Sequence, residues 1–316
     1  MQLQIGGDLM TGTAHVTAER RSNVGMLFIN FGYVPRDGHG GLAAQTCDAL
    51  AASGVPAFRF DLPRIGDTPG ELPSHTHQFF DLVTSGGFTQ ATAALVQTLC
   101  EREQLDGVCL GGLCGGAVTA IFAAEREPSK VRALVLLEPE MYVTEPKAKK
   151  EDAAAAPKRL RKRDRLLAAL KRLPQGDRVE ALGVKLTKKI GASAFNYWGW
   201  MRFLTYEGKR GQWIPLPRKM ILDFVLSSST LPEVTNMPLA SAWQRYVQQK
   251  RPVLVITADQ KLREVFFDRI NRVVLRKVDT QSMRHVRLKG TNHIFTTGGA
   301  IETVMGHVVP WVQRLA

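Results

Sequence analysis

The sequence predicts an α/β protein in which a mostly parallel central sheet carries helices on both faces and is interrupted once by an insertion. Short runs that are apolar at nearly every position, VGMLFI over 24–29, VRALVLL over 131–137 and PVLVIT over 252–257, are what strands buried on both faces require. They alternate with helix-length stretches across short turns, the rhythm of βαβ units. That rhythm stops between residues 141 and 240 and then resumes. The expected organisation is therefore a core of residues 1–140 and 241–316 with an inserted helical lid over 141–240.

Residues 2–18 alternate weakly around Gly6-Gly7 and read as an antiparallel pair opening the sheet at its edge. After the 24–29 strand comes a glycine-rich loop from Asn30 to Gly41. A helix over 42–52 follows, stopped by Gly54, and then a strand over 56–62. The loop through Gly66 to Gly70 leads to a helix over 88–101 and a strand over 106–113. That strand ends in Gly112-Leu113-Cys114-Gly115-Gly116 and runs straight into a helix over 117–124. Beyond the insertion, the 252–257 strand precedes a helical stretch over 265–275, a strand over 285–288, the loop Gly290-Thr291-Asn292-His293 and a final helix over 300–314.

Composition narrows the function classes. At 316 residues and 44% hydrophobic content, one large domain with an insertion fits better than two separate domains. No apolar run is long enough to span a bilayer, and MQLQIGGDLM lacks a basic region followed by an apolar core, so a cytoplasmic protein is expected. Cys47, Cys100, Cys109 and Cys114 show neither zinc spacing nor the density of a disulfide scaffold; no metal and no cofactor is expected, and all but Cys114 read as small core residues. The net charge of +13 gathers between Lys147 and Lys189. There, Leu160, Leu166, Leu167, Leu170 and Leu173 share one side of a helix whose other side, from Lys158 to Arg172, is basic. Such a face attracts acidic carrier proteins, anionic lipid headgroups or nucleic acid, the last being the weakest because no nucleic-acid-binding motif accompanies it. A solvated helix face is the plainer reading. An aromatic patch at Phe195, Tyr197, Trp198, Trp200, Phe203, Tyr206 and Trp213 follows in the same insertion.

Cys114 holds the centre of a strand, sharp turn and helix with the pattern G-x-C-x-G. A turn this tight strains its central residue, so the positions two away on each side must be small, and Gly112 and Gly116 meet that need. Such a turn lifts the central side chain above the sheet and aims the Gly115 N–H at an oxygen that develops charge beside it. The helix N-terminus favours a thiolate. A phosphate-binding or close-packed glycine turn is the alternative. A nucleophile needs a base within reach and an acid to orient the base, so all three belong at the same ends of parallel strands. Cys114, Asp259 and His293 stand at successive strand ends in the chain order nucleophile, acid, histidine.

With these residues in view, the chain resembles the α/β-hydrolase superfamily, and the resemblance covers all of it except the insertion. Residues 60–68, FDLPRIGDT, are similar to the superfamily's D-x-x-G-x-G-x-S region, with Arg64 and Thr68 in place of glycine and serine. Residues 253–259 resemble its acid-bearing strand, and 290–295, GTNHIF, its histidine loop. The elbow and the Arg36-Asp37-Gly38 loop resemble a bacterial branch, described as exosortase-associated or biosynthetic-cluster hydrolases, in which cysteine commonly takes the nucleophile position. The resemblance implies an α/β-hydrolase fold and an enzyme with a Cys114–His293–Asp259 triad. The oxyanion hole would use the Gly115 N–H and a second N–H from the loop after the first parallel strand, at Tyr33 or Gly32. Glu138 and Glu140, which end the 131–137 strand, compete with Asp259 for the acid role. Asp61 is expected to organise its own turn, and His39, His75, His77, His285 and His307 to be structural.

Cysteine shifts the expected chemistry. A thioester on Cys114 yields to amines and thiols more readily than to water, which points to acyl transfer, cyclisation or exchange on a thioester or ester substrate. Hydrolysis of a small ester or lactone, as in dienelactone hydrolases, is the runner-up, and an inactive hydrolase-fold binding protein is the reading of another class. The expected donor is an acyl group on an acidic acyl carrier protein or coenzyme A met by the basic lid helix, with an anionic membrane surface as the other partner that such a face would suit.

Overall fold

The alternation of apolar positions in each strand decides the architecture. In the strand Val24–Ile29, Leu27 and Ile29 enter one apolar cluster while Met26 and Phe28 enter another. The same division holds for Leu134 and Leu136 against Val135 and Leu137. A strand with two dry faces must lie inside a sheet covered on both sides. The computed structural model describes residues 1–15, 19–30, 32–143, 231, 235–258 and 261–315. These belong to one compact unit, Met1–Thr144 with Ile221–Ala316.

Its eight strands are β1 (Gln2–Ile5), β2 (Asp8–His15), β3 (Val24–Ile29), β4 (Ala57–Phe60), β5 (Gly107–Leu113), β6 (Val131–Leu137), β7 (Val253–Ala258) and β8 (Met283–Leu288), in the order β1-β2-β4-β3-β5-β6-β7-β8. β1 and β2 form the antiparallel pair expected at the edge, and β2 is antiparallel to β4. From β4 to β8 every pairing is parallel. The carboxyl ends of β3 to β8 therefore share one edge.

The helices are α1 (Leu42–Ala52), α2 (Thr76–Thr84), α3 (Thr89–Arg102), α4 (Gly115–Arg126), α5 (Met237–Gln248), α6 (Lys261–Val274) and α7 (Ala300–Gln313) among the described residues. Leu42, Cys47 and Leu50 of α1 and Val304, Val308 and Val312 of α7 cover the Met26 face. Residues of α2, α3, α4, α5 and α6 cover the other. α4 is buried from Gly115 to Ile121 and again at Ala123 and Ala124, between α3 and α5. A helix that is apolar all round has no solvent face, and its glycines and alanines allow close approach on every side.

The sequence reading omits two helices. α2 is nine residues long and has no side-chain N-cap, and its buried anchors are Phe79 and Val83. α5 begins within the span assigned to the insertion. Asn236 caps it by accepting the Leu239 N–H at 3.1 Å, and its Nδ2 donates to the Thr84 carbonyl at 2.7 Å. Leu239, Trp243, Tyr246 and Val247 are fully buried, and Trp243 Nε1 donates to Asn271 of α6 at 2.8 Å. Met141 is also core, and Tyr142 pairs with Thr235. The core unit thus extends past residue 140 and resumes before residue 241. The basic helix of Lys158–Arg172 and the aromatic patch of Phe195–Trp213 lie outside the described residues. No described helix is long and apolar enough to cross a membrane.

If α5 is core, Trp243→Ala should destabilise the protein by about 3–5 kcal/mol, the range for removing a buried aromatic side chain. Urea unfolding checks this, and a change below about 1 kcal/mol would take α5 out of the core.

Candidate active site

β5 ends in the residue that the sequence singles out. Cys114 has φ 55 and ψ −114, is half-buried, and occupies the N-cap of α4. A non-glycine residue rarely adopts positive φ, and it persists only where its surroundings leave no alternative. Two bare positions impose it here. A Cβ on Gly112 would come within 2.6 Å of the Gly116 carbonyl oxygen, and a Cβ on Gly116 would collide with the carbonyl oxygen of Asn30 at the end of β3. The Cys114 N–H donates to the Leu137 carbonyl at 2.8 Å, and its own carbonyl accepts the first helical bond, from Val118, at 3.2 Å. Strand, turn and helix are fixed together.

The other three cysteines are core residues, as expected. Cys47, Cys100 and Cys109 are buried. Burial pushes the thiols of Cys47 and Cys109 far up and that of Cys100 up to about 11. A thiol held protonated in this way is neither nucleophile nor ligand.

Gly32 and Tyr33 lie in the loop after β3, which a buried polar network secures. Asp61, fully buried at the end of β4, accepts from Asn30 Nδ2 at 3.0 Å, the Arg36 N–H at 2.7 Å and the Asp67 N–H at 3.1 Å. The Arg36 guanidinium bridges Asp61 and Asp67, at 2.5 and 2.7 Å. Thr68 Oγ1 donates to the Asp61 carbonyl at 2.9 Å and accepts the Thr11 N–H at 3.0 Å. Asp61 therefore organises its turn, as expected. Arg64, where the resembling motif has glycine, keeps a glycine-like φ of 71. Gly32 lines a small apolar cavity that Gly115 and Gly116 also line, against Phe79 and Val83 of α2. Tyr33 stacks on Phe79, ring centroids 3.9 Å apart, and leaves 37% of its surface exposed. Of the two positions expected to supply the second oxyanion N–H, Gly32 is the one that shares a cavity with Gly115.

His293 lies in the loop between β8 and α7. Asn292 braces that loop: its Oδ1 accepts the Thr296 N–H and its Nδ2 donates to Thr296 Oγ1, both at 2.9 Å, while its carbonyl accepts the Phe295 N–H at 3.0 Å. Phe295, fully buried with φ 54, anchors the loop in the cluster that contains Leu113, Leu137 and Ala258. Cys114 and Ile294 pack against the same cluster from its rim. Asp259, the expected acid, lies outside the described residues. The competing carboxylates are both buried. Glu138, at φ 48, accepts the Ala258 N–H, and Glu140 accepts from Tyr142 Oη at 3.3 Å. No group of His, Cys, Asp and Glu suited to a metal ion occurs among the described residues.

No protein-family model matches the sequence, and no curated protein sequence matches it. Solved structures do match, over nearly the whole chain. DcsB in complex with its substrate analogue is 15% identical with a TM-score of 0.57, covering 99% of this chain and 97% of its own. Dienelactone hydrolase from Anabaena variabilis is 13% identical, TM-score 0.53, with 99% and 95% covered, and an epoxide hydrolase from Vigna radiata is 18% identical, TM-score 0.52, with 99% and 97% covered. The chain has the α/β-hydrolase fold. In this hydrolase fold, the described members of the expected site lie at the carboxyl edge of the parallel strands, where such sheets bind their ligands: Gly32, Tyr33 and His293 in loops, Cys114 at the N-cap of α4 and Gly115 as its first residue.

His285, inside β8, is structural. Its Nε2 pairs with Thr257 Oγ1 at 2.9 Å, its ring meets Phe267 edge-on at 5.3 Å, and burial, aided by Arg287, lowers its pKa to about 4 against the pull of Asp268. The folded state then binds fewer protons than the unfolded state between that value and the ordinary histidine value of about 6.5. The resulting stability is complete above the upper value and is lost as pH falls through the lower one. His285→Gln should remove up to about 1.4 kcal/mol per pH unit of slope in that window. Unfolding curves across it check this, and an unchanged slope would contradict it.

Proposed function

We propose that this protein is a cysteine-dependent acyl-transfer enzyme that acts on a thioester or ester through an acyl-Cys114 intermediate. The observation that carries the reading is Cys114 itself: half-buried and left-handed, at a helix N-terminus at the carboxyl edge of the sheet. The thiolate attacks the acyl carbonyl carbon and forms the S–C bond. The carbonyl oxygen becomes an oxyanion, which the N–H groups of Gly115 and of Gly32 or Tyr33 stabilise. Collapse expels the thiol or alcohol, which takes its proton from the His293 imidazolium. An amine, thiol or water then attacks the thioester while His293 accepts its proton, and Cys114 is released. A carboxylate at the strand ends keeps the imidazole oriented. The donor in this proposal is carried on an acidic partner, an acyl carrier protein or coenzyme A, because basic residues crowd the segment from Lys158 to Arg172.

A second reading, hydrolysis of a small ester or lactone, is favoured by the likeness to a dienelactone hydrolase. The two readings differ in which acceptor relieves the acyl-enzyme.

Incubating the protein with a panel of acyl thioesters and esters should add the acyl mass to intact protein, with Cys114→Ala preventing the addition and reducing turnover by at least about 1,000-fold. Release of the acyl group faster by amines and thiols than by water would support transfer, and release by water alone would support hydrolysis. Full turnover in Cys114→Ala would end both readings.

A further inference from the structure

We infer that Arg64 recognises an anionic group of the acyl donor, a carboxylate or a phosphate, at the rim of the candidate site; the inference rests on the proposed acylation of Cys114 and adds what holds the donor. Leu62, Pro63, Arg64 and Ile65 form a turn closed by the Ile65 N–H, which donates to the Leu62 carbonyl at 3.0 Å. Proline stands second in it, and the third residue, Arg64, has φ 71. Those two features are the pattern of a type II turn, whose third position calls for glycine. An arginine there is strained where glycine would not be, and residues held in this way cluster at active sites and ligand clamps.

The stem of Arg64 is seated and its head is not. A Cβ on Gly70 would come within 2.6 Å of Arg64 Cγ, so the stem lies where only glycine leaves room for it. The loop beneath is fixed: Asp61 accepts the Asp67 N–H at 3.1 Å, and the Thr68 N–H donates to the Ile65 carbonyl at 3.0 Å. The guanidinium is exposed and makes no hydrogen bond or ion pair with a described residue. Asp61 and Asp67 are bridged by Arg36 instead, and Glu71, exposed in the same loop, is not bonded to Arg64. An exposed arginine without a partner is ordinary on a surface. One in a glycine position, with a bare glycine under its stem, is not. Its planar fork can meet two oxygens of a carboxylate or phosphate at once, and a stem already fixed loses little freedom in doing so.

Its place in the fold ties it to the donor. Leu62 and Ile65, on either side of Arg64, line the apolar cavity that Gly32 and Gly115 also line. Consecutive Cα atoms are about 3.8 Å apart, so the Arg64 backbone stands one residue from that wall. In the sheet, β4 lies two strands from β5, about 10 Å at the backbone. An arginine side chain and a short acyl or thiol chain span that gap together. Arg64 then holds the anionic end of the donor while its carbonyl lies at Cys114. It is a binding residue and takes no part in the bonds made or broken.

The test measures binding apart from chemistry, by calorimetry on Cys114→Ala with three thioesters. Acetyl-N-acetylcysteamine is neutral, succinyl-N-acetylcysteamine carries a carboxylate on the acyl side, and acetyl-4′-phosphopantetheine carries a phosphate on the thiol side. Adding Arg64→Gly should cut the affinity for an anionic donor relative to the neutral one by at least about tenfold. A cut confined to the succinyl thioester assigns the anion to the acyl group, and one confined to the phosphopantetheine thioester assigns it to the thiol. Glycine adopts φ 71 freely, so Arg64→Gly should melt no lower than its parent, which keeps recognition separate from support of the fold. Arg64→Lys should recover part of the loss, because it restores the charge without the fork. An affinity ratio unchanged by Arg64→Gly for both anionic donors overturns the inference. Acylation is followed separately, by intact mass of the protein that retains Cys114: failure of all three donors to acylate it would defeat the nucleophile, and the binding ratios would still decide Arg64.

Discussion

Everything at the carboxyl edge depends on one steric constraint, the space that Gly112 and Gly116 leave around Cys114. The carbonyl of Asn30 occupies the place where a Gly116 side chain would be, and Gly116 occupies the place of a Gly112 side chain. Three consequences come from this close packing. β3 and its loop are drawn against the start of α4, so Gly32 and Gly115 line one cavity. α4 descends between α3 and α5 with its small residues buried on all sides. The Cys114 N–H meets β6 at Leu137, which sets the register that brings Glu138 alongside.

Burial then sorts groups of similar intrinsic chemistry. Four thiols share a solution pKa near 8.5, yet burial locks Cys47, Cys100 and Cys109 in the protonated form, while Cys114 sits half-exposed at a helix N-terminus. His285 and His293 are close in sequence, but the first is kept neutral within β8 by its surroundings and the second is held out on a loop braced by Asn292. Among the carboxylates, Asp61 is committed to Arg36 and to two backbone N–H groups, an arrangement whose removal on one side would leave a buried charge uncompensated.

The parallel sheet was legible because its strands are apolar on both faces, and the elbow because Gly112 and Gly116 flank Cys114 where an apolar run passes straight into a helix, with Asp259 and His293 following in the order of a triad. Less was legible where context replaces local signal. α2 is short and carries no side-chain cap, so nothing local marks where it begins. α5 does carry a cap, Asn236 followed by Pro238 in the first turn, and its Leu239, Trp243 and Tyr246 recur at helical spacing; that signal was available and was absorbed into the long aperiodic stretch before it. Arg64 breaks the glycine motif in residue type but not in conformation. Spacing leaves the carboxylates undecided, because β6, which Glu138 and Glu140 follow, and β7, which Asp259 follows in sequence, are adjacent parallel strands.

The central claim, that Cys114 is an activated nucleophile and not one more core thiol, is tested most directly by the rate at which iodoacetamide alkylates each cysteine of the native protein as a function of pH, read by peptide mapping. The account predicts that Cys114 reacts at least about 100-fold faster than Cys47, Cys100 and Cys109, and that its reactivity persists well below the free-thiol pKa of about 8.5 in the wild type but not in His293→Ala. Alkylation of Cys114 at the rate and with the pH dependence of an ordinary thiol, unchanged by His293→Ala, would contradict it.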